Sequence, residues 1–305
     1  MDLDVSNHAL PVYRALGSEI RLEIIRNIGS GITTASELAK KMSLSESAIS
    51  KNLAQLLDAG LIVKKASDDD RQNKLELAVQ DINIHLPRLL FPKYQRLTYS
   101  IPLGNYFAIQ NVSASCGLAD DSRVIGKFDD PNAFLLPDRF QAQLLWFTKG
   151  RIEYQIPNEL PPNIQPKMLE ISAEMSSEFP RSNNNWPSSI GCYINNQFLG
   201  AFTVPGNFSD VRGRLTPSWW DKDYSQYGVL KHIRITDQNT GVDGKQISDV
   251  NLSQLKISNQ APLRLAFETL PPSGSPHGLT IFGHQFGNYP QDIQVTVYYT
   301  ESKNN

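Results

Sequence analysis

The sequence is poor in several things at once. It has two cysteines in 305 residues, Cys116 and Cys192. They form no CxxC pair and no Cys/His cluster, which argues against a disulfide framework or a thiolate metal site. Two buried free thiols in a reducing compartment are expected. No apolar run approaches the roughly 20 residues of a membrane-spanning helix. The opening M-D-L-D-V-S-N-H is acidic and polar, unlike a secretory signal, so a cytoplasmic location is expected. Excess positive charge is missing too. The formal net charge is −2, so any nucleic-acid binding must rest on a local patch. There is no internal repeat and no low-complexity tract. What remains is an ordinary apolar content of 40%, enough for a sizeable core. The length suits two domains of roughly 100–200 residues each.

The most informative stretch runs from Ser43 to Gly60. Ser45 is a good N-cap, since its hydroxyl can accept a free N–H of the first turn. Ile49, Leu53, Leu56 and Leu57 recur at helical spacing. Gly60 suits the left-handed residue after a helix, with Leu61 as the apolar residue that closes such a cap. Glu46, Ser47, Ser50, Lys51 and Gln55 fall mostly off the apolar stripe, leaving a small polar face. A major groove about 12 Å wide admits one such helix. Upstream, a short helix is expected from Pro11, with Tyr13 and Leu16 inward. A second is capped by Ser18, with Ile20, Ile24, Ile25 and Ile28 buried. A third opens on the capping box Thr34-Ala35-Ser36-Glu37. The third and the Ser45 helix, joined through Ser43-Leu44, read as a helix-turn-helix. After Gly60 the pattern turns extended. Leu61–Lys65 and Lys74–Val79 read as a hairpin with a polar tip, Ser67 to Asn73, carrying Asp69 and Arg71. That is a wing whose arginine could enter a minor groove.

The segment L-S-E-S-A-I-S-K-N-L-A-Q-L-L-D-A-G-L-I-V-K-K resembles the recognition helix and first wing strand of ArsR-family winged-helix repressors. A-L-G-S-E-I-R-L-E-I-I-R-N-I resembles that family's opening helices. Together they cover about residues 8–80. Two departures matter: Asn52 replaces the usual recognition-helix histidine, and S-E-L-A-K-K-M-S lacks the family's metal-sensing thiolate. The D-D-D-R wing tip is similar to MarR-type wings. The resemblance implies a DNA-binding regulator working as a homodimer on a double-stranded operator. Ser45, Glu46, Ser47, Ser50, Lys51 and Gln55 would meet the groove, and Arg71 and Lys74 would act from the wing. Residues 1–80 hold ten Lys/Arg against eleven Asp/Glu. The basic residues nonetheless gather at Lys40, Lys41, Lys51, Lys64, Lys65, Arg71 and Lys74, and phosphate contacts need that local gathering.

Residues 81–102 read as a proline-interrupted linker, extended or with a short helix near Leu86–Tyr94. From Leu103 to residue 301, many short strands are divided by Gly, Pro, Asn and Asp. Lys149-Gly150 and Asn195-Asn196 are expected as hairpin turns. The expected fold class is therefore α+β in two domains: a winged helix over 1–80 and an antiparallel β-sandwich of jelly-roll type over 103–301. D-D-P-N-A-F-L-L-P-D-R-F and F-G-N-Y-P-Q-D-I resemble a branch of ArsR-like regulators with such a β-rich extension.

Within it, R-G-R-L-T-P-S-W-W-D-K-D-Y-S-Q-Y gathers Trp219, Trp220, Tyr224 and Tyr227 with Arg212, Arg214, Asp221 and Asp223. Aromatic walls with a few placed polar groups are how small ligands are held. Arg212, Arg214, Trp219, Trp220, Asp221 and Tyr224 are thus candidate contacts for a small polar effector such as a carbohydrate. The competing reading makes the tryptophans anchors of a long loop. Asn183-Asn184-Asn185-Trp186 has the same ambiguity. Asp237 to Asp243 lacks the glycine and glutamate of a calcium loop and reads as a hairpin. His277 and His284 are not spaced for a shared metal, and Asp221, Asp223 and Glu268 have no fixed separation for glycoside hydrolysis. No metal, cofactor or catalytic set is expected. Two alternatives stay open: a C-terminal domain that only assembles with protein, and a glycan-active enzyme with a DNA-binding appendage.

Overall fold

The computed structural model describes residues 1–65, 74–86, 94–157, 159–257, 261–271 and 277–301. The chain divides into two compact units, Met1–Pro92 and Lys93–Asn305. No helix is long and apolar enough to cross a membrane among the described residues.

The first unit runs β1 (Asp2–Asp4), α1 (Leu10–Leu16), α2 (Glu19–Gly29), α3 (Ala35–Met42), α4 (Glu46–Asp58), β2 (Ile62–Lys65), β3 (Lys74–Leu77) and β4 (Asn83–His85). Ser18 stands at the N-cap of α2 but its side chain makes no capping hydrogen bond, whereas the ends of α3 and α4 form as the sequence predicts. Thr34 and Glu37 complete the capping box of α3. Ser43 takes a left-handed turn, and the Ser45 hydroxyl accepts the Ala48 N–H at 3.2 Å to start α4. At the far end the Leu61 N–H reaches the Leu56 carbonyl at 3.0 Å and the Gly60 N–H reaches that of Leu57 at 2.9 Å. With Gly60 at φ +67° this is a Schellman closure. Ile24, Ile28, Leu38, Ile49, Leu53 and Leu56 make the core, joined by Leu61, Ile62 and Leu75 from the hairpin. Ile20, expected inside, is exposed. Tyr13 and Leu16 are only partly buried against this core, and the Tyr13 hydroxyl donates to the Asp4 carbonyl at 2.6 Å.

Two short strands were illegible. β1 and β4 pair in parallel, Asp2 opposite Asn83 and Asp4 opposite His85, so the start of the chain closes on the end of the unit. The connector expected over 81–102 is accordingly narrower. Its first part belongs to this pair, while β5 (Gln95–Ile101) belongs to the second unit. The helix considered near Leu86–Tyr94 falls mostly outside the described residues.

The second unit continues with β6 (Tyr106–Ala119), β7 (Val124–Ile125), β8 (Leu144–Ile156), β9 (Ile164–Ser176), β10 (Ser188–Ile194), β11 (Gln197–Val204), β12 (Val229–Ile235), β13 (Thr240–Val242), β14 (Lys245–Ser248), β15 (Leu263–Leu270), β16 (Leu279–Phe282) and β17 (Ile293–Glu301). All its pairings are antiparallel. They differ from a two-sheet jelly roll in forming one connected sheet of 13 strands. Two halves, β11-β10-β15-β8-β6 and β5-β17-β9-β12-β13-β14, meet at β16, which bonds to β8 on one side and β9 on the other. Side chains of both halves share one core that includes Phe147, Tyr154, Ile171, Ile190, Phe267 and Ile281.

Asn195-Asn196 is a left-handed hairpin turn as expected, with φ +49° and +65°. Lys149-Gly150 is not a turn, because β8 runs straight through it. Gly150 instead lies where the β6 register slips, between Gln110 and Cys116, and its N–H bonds to the Thr269 hydroxyl at 3.0 Å. A strand glycine marks a bulge as readily as a turn.

A Cβ on Gly60 would meet nothing closer than Met1 Cε at 3.8 Å, so the left-handed backbone alone opposes a side chain there. Gly60→Ala is expected to destabilise the first unit by about 1 kcal/mol, measured by urea unfolding against wild type.

Candidate functional site

Two surfaces carry recognisable chemistry, one in each unit. In the first, the apolar stripe of α4 is buried, which turns Ser45, Glu46, Ser47, Ser50, Lys51 and Gln55 outward; all six are exposed. Ser47, Lys51 and Gln55 follow one another at i, i+4, i+8 along the outermost line. Glu46, Ser50 and Ala54 instead border a groove closed by Thr34, Ser36 and Lys64. Glu46 favours the positive end of the helix, but a carboxylate repels phosphate. Its matching partner in a groove would be a base amino group. Asn52 is turned inward. It donates to the Ala48 carbonyl at 2.9 Å and accepts from Arg21 at 3.4 Å. Arg21 also holds the Ala15 carbonyl at 2.7 Å and the Arg14 carbonyl at 2.6 Å. Position 52 therefore fixes α4 against the end of α1.

β2 and β3 pair as the wing stem, Lys65 opposite Lys74, and the Leu75 N–H bonds to the Thr33 carbonyl at 2.8 Å. Lys40, Lys41, Lys51, Lys64 and Lys74 are exposed. Lys65 pairs with Glu76 at 3.1 Å in full solvent, a contact of little energetic weight. Arg71, Asp69 and the rest of the wing tip lie outside the described residues.

In the second unit the site lies on the outer side of the sheet where β6, β8, β16 and β9 run side by side. Successive strand residues point to opposite faces. Leu145, Phe147, Leu279 and Ile281 therefore enter the core, while their neighbours face out in register. Gly117 lies beside Trp146, Trp146 beside Thr280, and Thr280 beside Ser176; Ala119, Leu144, Phe282 and Glu174 form the next row. Gly117 is needed there, since a Cβ would lie 2.3 Å from the Trp146 ring. This outer row is buried as well. Trp146, Trp220, Phe282 and Phe286 make a second apolar cluster, with Tyr224 packed against it.

The cover is the long segment between β11 and β12, together with 283–292. Glu174 ties the two. Its fully buried carboxyl accepts the N–H groups of Gly228 at 2.8 Å, Asn288 at 2.9 Å and Tyr289 at 2.9 Å. Burial pushes its pKa up to about 7 despite those three donors. The N–H of Leu215 bonds to the Gly287 carbonyl at 2.8 Å, and the Trp220 Nε1–H to the Ser225 carbonyl at 3.0 Å.

Beneath this cover lies a pocket of about 370 Å³, walled by Phe128, Trp146, Trp220 and Tyr224 and bordered by Asp129, Glu178, Arg181, Ser115 and Thr280. Phe128 faces Tyr224 at 5.8 Å and Trp220 at 6.3 Å between centroids, nearly parallel to both. Glu178 is 7% exposed. Its Oε2 accepts the Thr280 hydroxyl at 3.3 Å. Burial, with added repulsion from Asp129, pushes its carboxyl up to about 8 against the Thr280 and Ser115 hydroxyls that favour the charge. Asp129 Oδ1 in turn accepts the Cys116 N–H at 3.1 Å. Cys116 and Cys192 are buried and free. Burial pushes the Cys116 thiol up to about 11, which makes it unreactive.

Of the six residues expected around a ligand, Trp220 and Tyr224 line this pocket. The other four hold its cover. Trp219 packs edge-on against Trp220 and donates to the Asp121 carbonyl at 2.7 Å. Asp221 accepts the Asp223 N–H at 2.9 Å. Arg212 donates to the Pro217 carbonyl and, at 3.4 Å, to that of Trp220. The Arg214 N–H bonds to Asn288 Oδ1 at 2.9 Å. Trp186 stacks on His277 at 3.8 Å, and His284 pairs with Asp292 at 3.0 Å. Phe128, Trp146 and Glu178 were missed. The usable signal was L-L-W-F, an apolar run without alternation, which marks a strand covered on both faces.

Residues 21–72 match the family model described as MarR family. The first unit is a winged helix-turn-helix of the regulator type. The match covers α3, α4 and the first wing strand, stops before β3, and names MarR rather than ArsR. No curated protein matches the chain. Among solved structures, dimeric latent PorU from Porphyromonas gingivalis is similar at 8% identity and TM-score 0.28, over 68% of this chain. This chain spans only 13% of that one. The Agl-KA catalytic domain is similar at 7% and TM-score 0.29, over 68% of this chain and 30% of that one. An endo-1,3-beta-glucanase from Streptomyces sioyaensis is similar at 10% and TM-score 0.28, over 69% and 99%. Likenesses this slight carry no argument.

Glu178 binds its proton more tightly folded than unfolded. Its protonation therefore supports the fold fully below the ordinary 4.5, and that support is lost as pH rises through about 8. The second unit should lose thermal stability between about pH 5 and pH 9, and Glu178→Gln should flatten the part of that loss nearest pH 8. Calorimetric melts of both proteins across that range provide the check.

Proposed function

We propose that the chain is a cytoplasmic transcription regulator that binds its operator through α4 and the wing. On this reading its β-rich unit, whatever the finer jelly-roll kinship, is the sensing domain. The observation that carries the DNA-binding half is the outward line Ser47, Lys51 and Gln55, held between two capped helix ends inside the family-matched segment. A major groove reads side chains presented in this way. Arg71 and Lys74 supply the wing contacts, and the opening helices keep the ArsR-like kinship of their sequence. One winged helix contacts few base pairs, so the protein acts as a homodimer on an inverted repeat, half-sites centred about 10 base pairs apart or a multiple of that.

The sensing half rests on the covered pocket at Trp220 and Tyr224. Its size is that of small-ligand sites. A ligand there contacts both the sheet and its cover, and it alters DNA affinity to the extent that it prefers one arrangement of the dimer. A carbohydrate, the effector expected from the sequence, would stack on the rings but would bring no charge to the acidic wall.

Lys51→Ala is expected to weaken operator binding and to lower the slope of log affinity against log salt by about one. Fluorescence anisotropy over a salt series measures both. Unchanged affinity and slope in a Lys51/Arg71 double alanine variant would remove this face as the DNA contact. Light scattering gives the oligomeric state, and a monomer both free and on DNA contradicts the dimer.

A further inference from the structure

The reading of this pocket as the effector site leaves the ligand's chemistry open, and the walls narrow it. We propose that the pocket takes a small organic cation. Its ammonium group sits against the faces of Phe128, Trp146, Trp220 and Tyr224, turned toward the carboxyls of Glu178 and Asp129. The inference rests on the effector reading.

Three observations converge. First, the four rings are gathered on one pocket, with neighbouring centroids 5.5–6.3 Å apart. Aromatic faces carry negative quadrupole and attract a cation within about 6 Å, most strongly where water is excluded. Second, Glu178 is almost wholly buried, and among the described residues no ion pair joins it to a lysine, arginine or histidine. A buried carboxyl without a protein cation keeps its proton or meets a charge from outside. Third, Asp129 borders the same space and repels the Glu178 charge. One cation beside both carboxyls offsets that repulsion. A neutral sugar does not.

The other groups around Glu178 fit this assignment. Its N–H bonds to the His277 carbonyl at 2.9 Å, while the His277 ring stacks away on Trp186. The Cys116 thiol is held neutral. Arg181 borders the pocket but is solvent-exposed, so water screens its repulsion.

Tetramethylammonium chloride is the probe, because it has no proton of its own to titrate. Sodium chloride at equal concentration is the control, and a panel of neutral mono- and disaccharides is the comparison. Calorimetric titration of the full chain should show tetramethylammonium binding about tenfold more tightly at pH 9 than at pH 7, as the Glu178 carboxyl, at about 8 when free, gives up its proton. Glu178→Gln should abolish that rise. Phe128→Leu, at a ring that is 46% exposed and not needed for the core, should weaken binding several-fold with an unchanged melting temperature. Affinity unchanged in both variants overturns the assignment of the site. Saccharide binding without tetramethylammonium binding overturns the cation and leaves the pocket as the effector site. No heat and no change in tryptophan fluorescence with any probe at millimolar concentration overturns both.

Discussion

A single buried carboxyl governs how the β-rich unit is finished. Glu174 points to the outer face of β9, where a strand residue would ordinarily meet water. It is instead fully buried and receives three backbone N–H groups from two separate segments. Leaving such a charge without donors would cost several kcal/mol, so the segments carrying Gly228 and Asn288 are obliged to close over it. Gly287 sits beside it at φ +77°, where a Cβ would lie 2.4 Å from Oε1. Once these segments are down, the outer face of β8 and β16 lies beneath a roof, and Trp146 and Phe282 become interior residues.

That roof separates two kinds of polar burial four residues apart in the chain. Glu174 is satisfied by backbone donors from the cover and acts as a fastening. Glu178, just past the end of the same strand, has the Ser115 and Thr280 hydroxyls and the Phe179 backbone for partners and borders open space. One carboxyl closes the structure, and the other stays available to whatever enters. The tryptophan-rich segment serves both ends: Trp220 is a wall, while Arg212, Trp219 and Asp221 keep that wall in place. Anchor and pocket wall, opposed as readings of the sequence, are held by neighbouring residues of one loop.

The first unit achieves its surface by simpler means. Its helices are short, so their ends matter as much as their faces. The capping box at Thr34, the Ser45 cap and the Schellman closure at Gly60 define where α3 and α4 begin and end. With those limits fixed, burial of Ile49, Leu53 and Leu56 leaves Ser47, Lys51 and Gln55 outside. The charge on that face is local, as it must be in a chain whose formal net charge is −2.

The sequence by itself determined whatever is local in origin. Caps, the spacing of Ile49, Leu53 and Leu56, and the Asn195-Asn196 turn each depend on residues within a few positions of one another, so the helix-turn-helix, its outward face and most strand positions were legible. Tertiary structure decided what depends on distant partners. β1 forms because β4 arrives some eighty residues later. β8 passes through Lys149-Gly150 because β6 pairs with Lys149 and β15 takes up the pairing from Arg151. The pocket could not be read from the loop that drew attention to it. Trp220 and Tyr224 meet Phe128, Trp146 and Glu178 only because antiparallel register sets Trp146 beside Thr280, and because a carboxyl on a neighbouring strand fastens the roof above them.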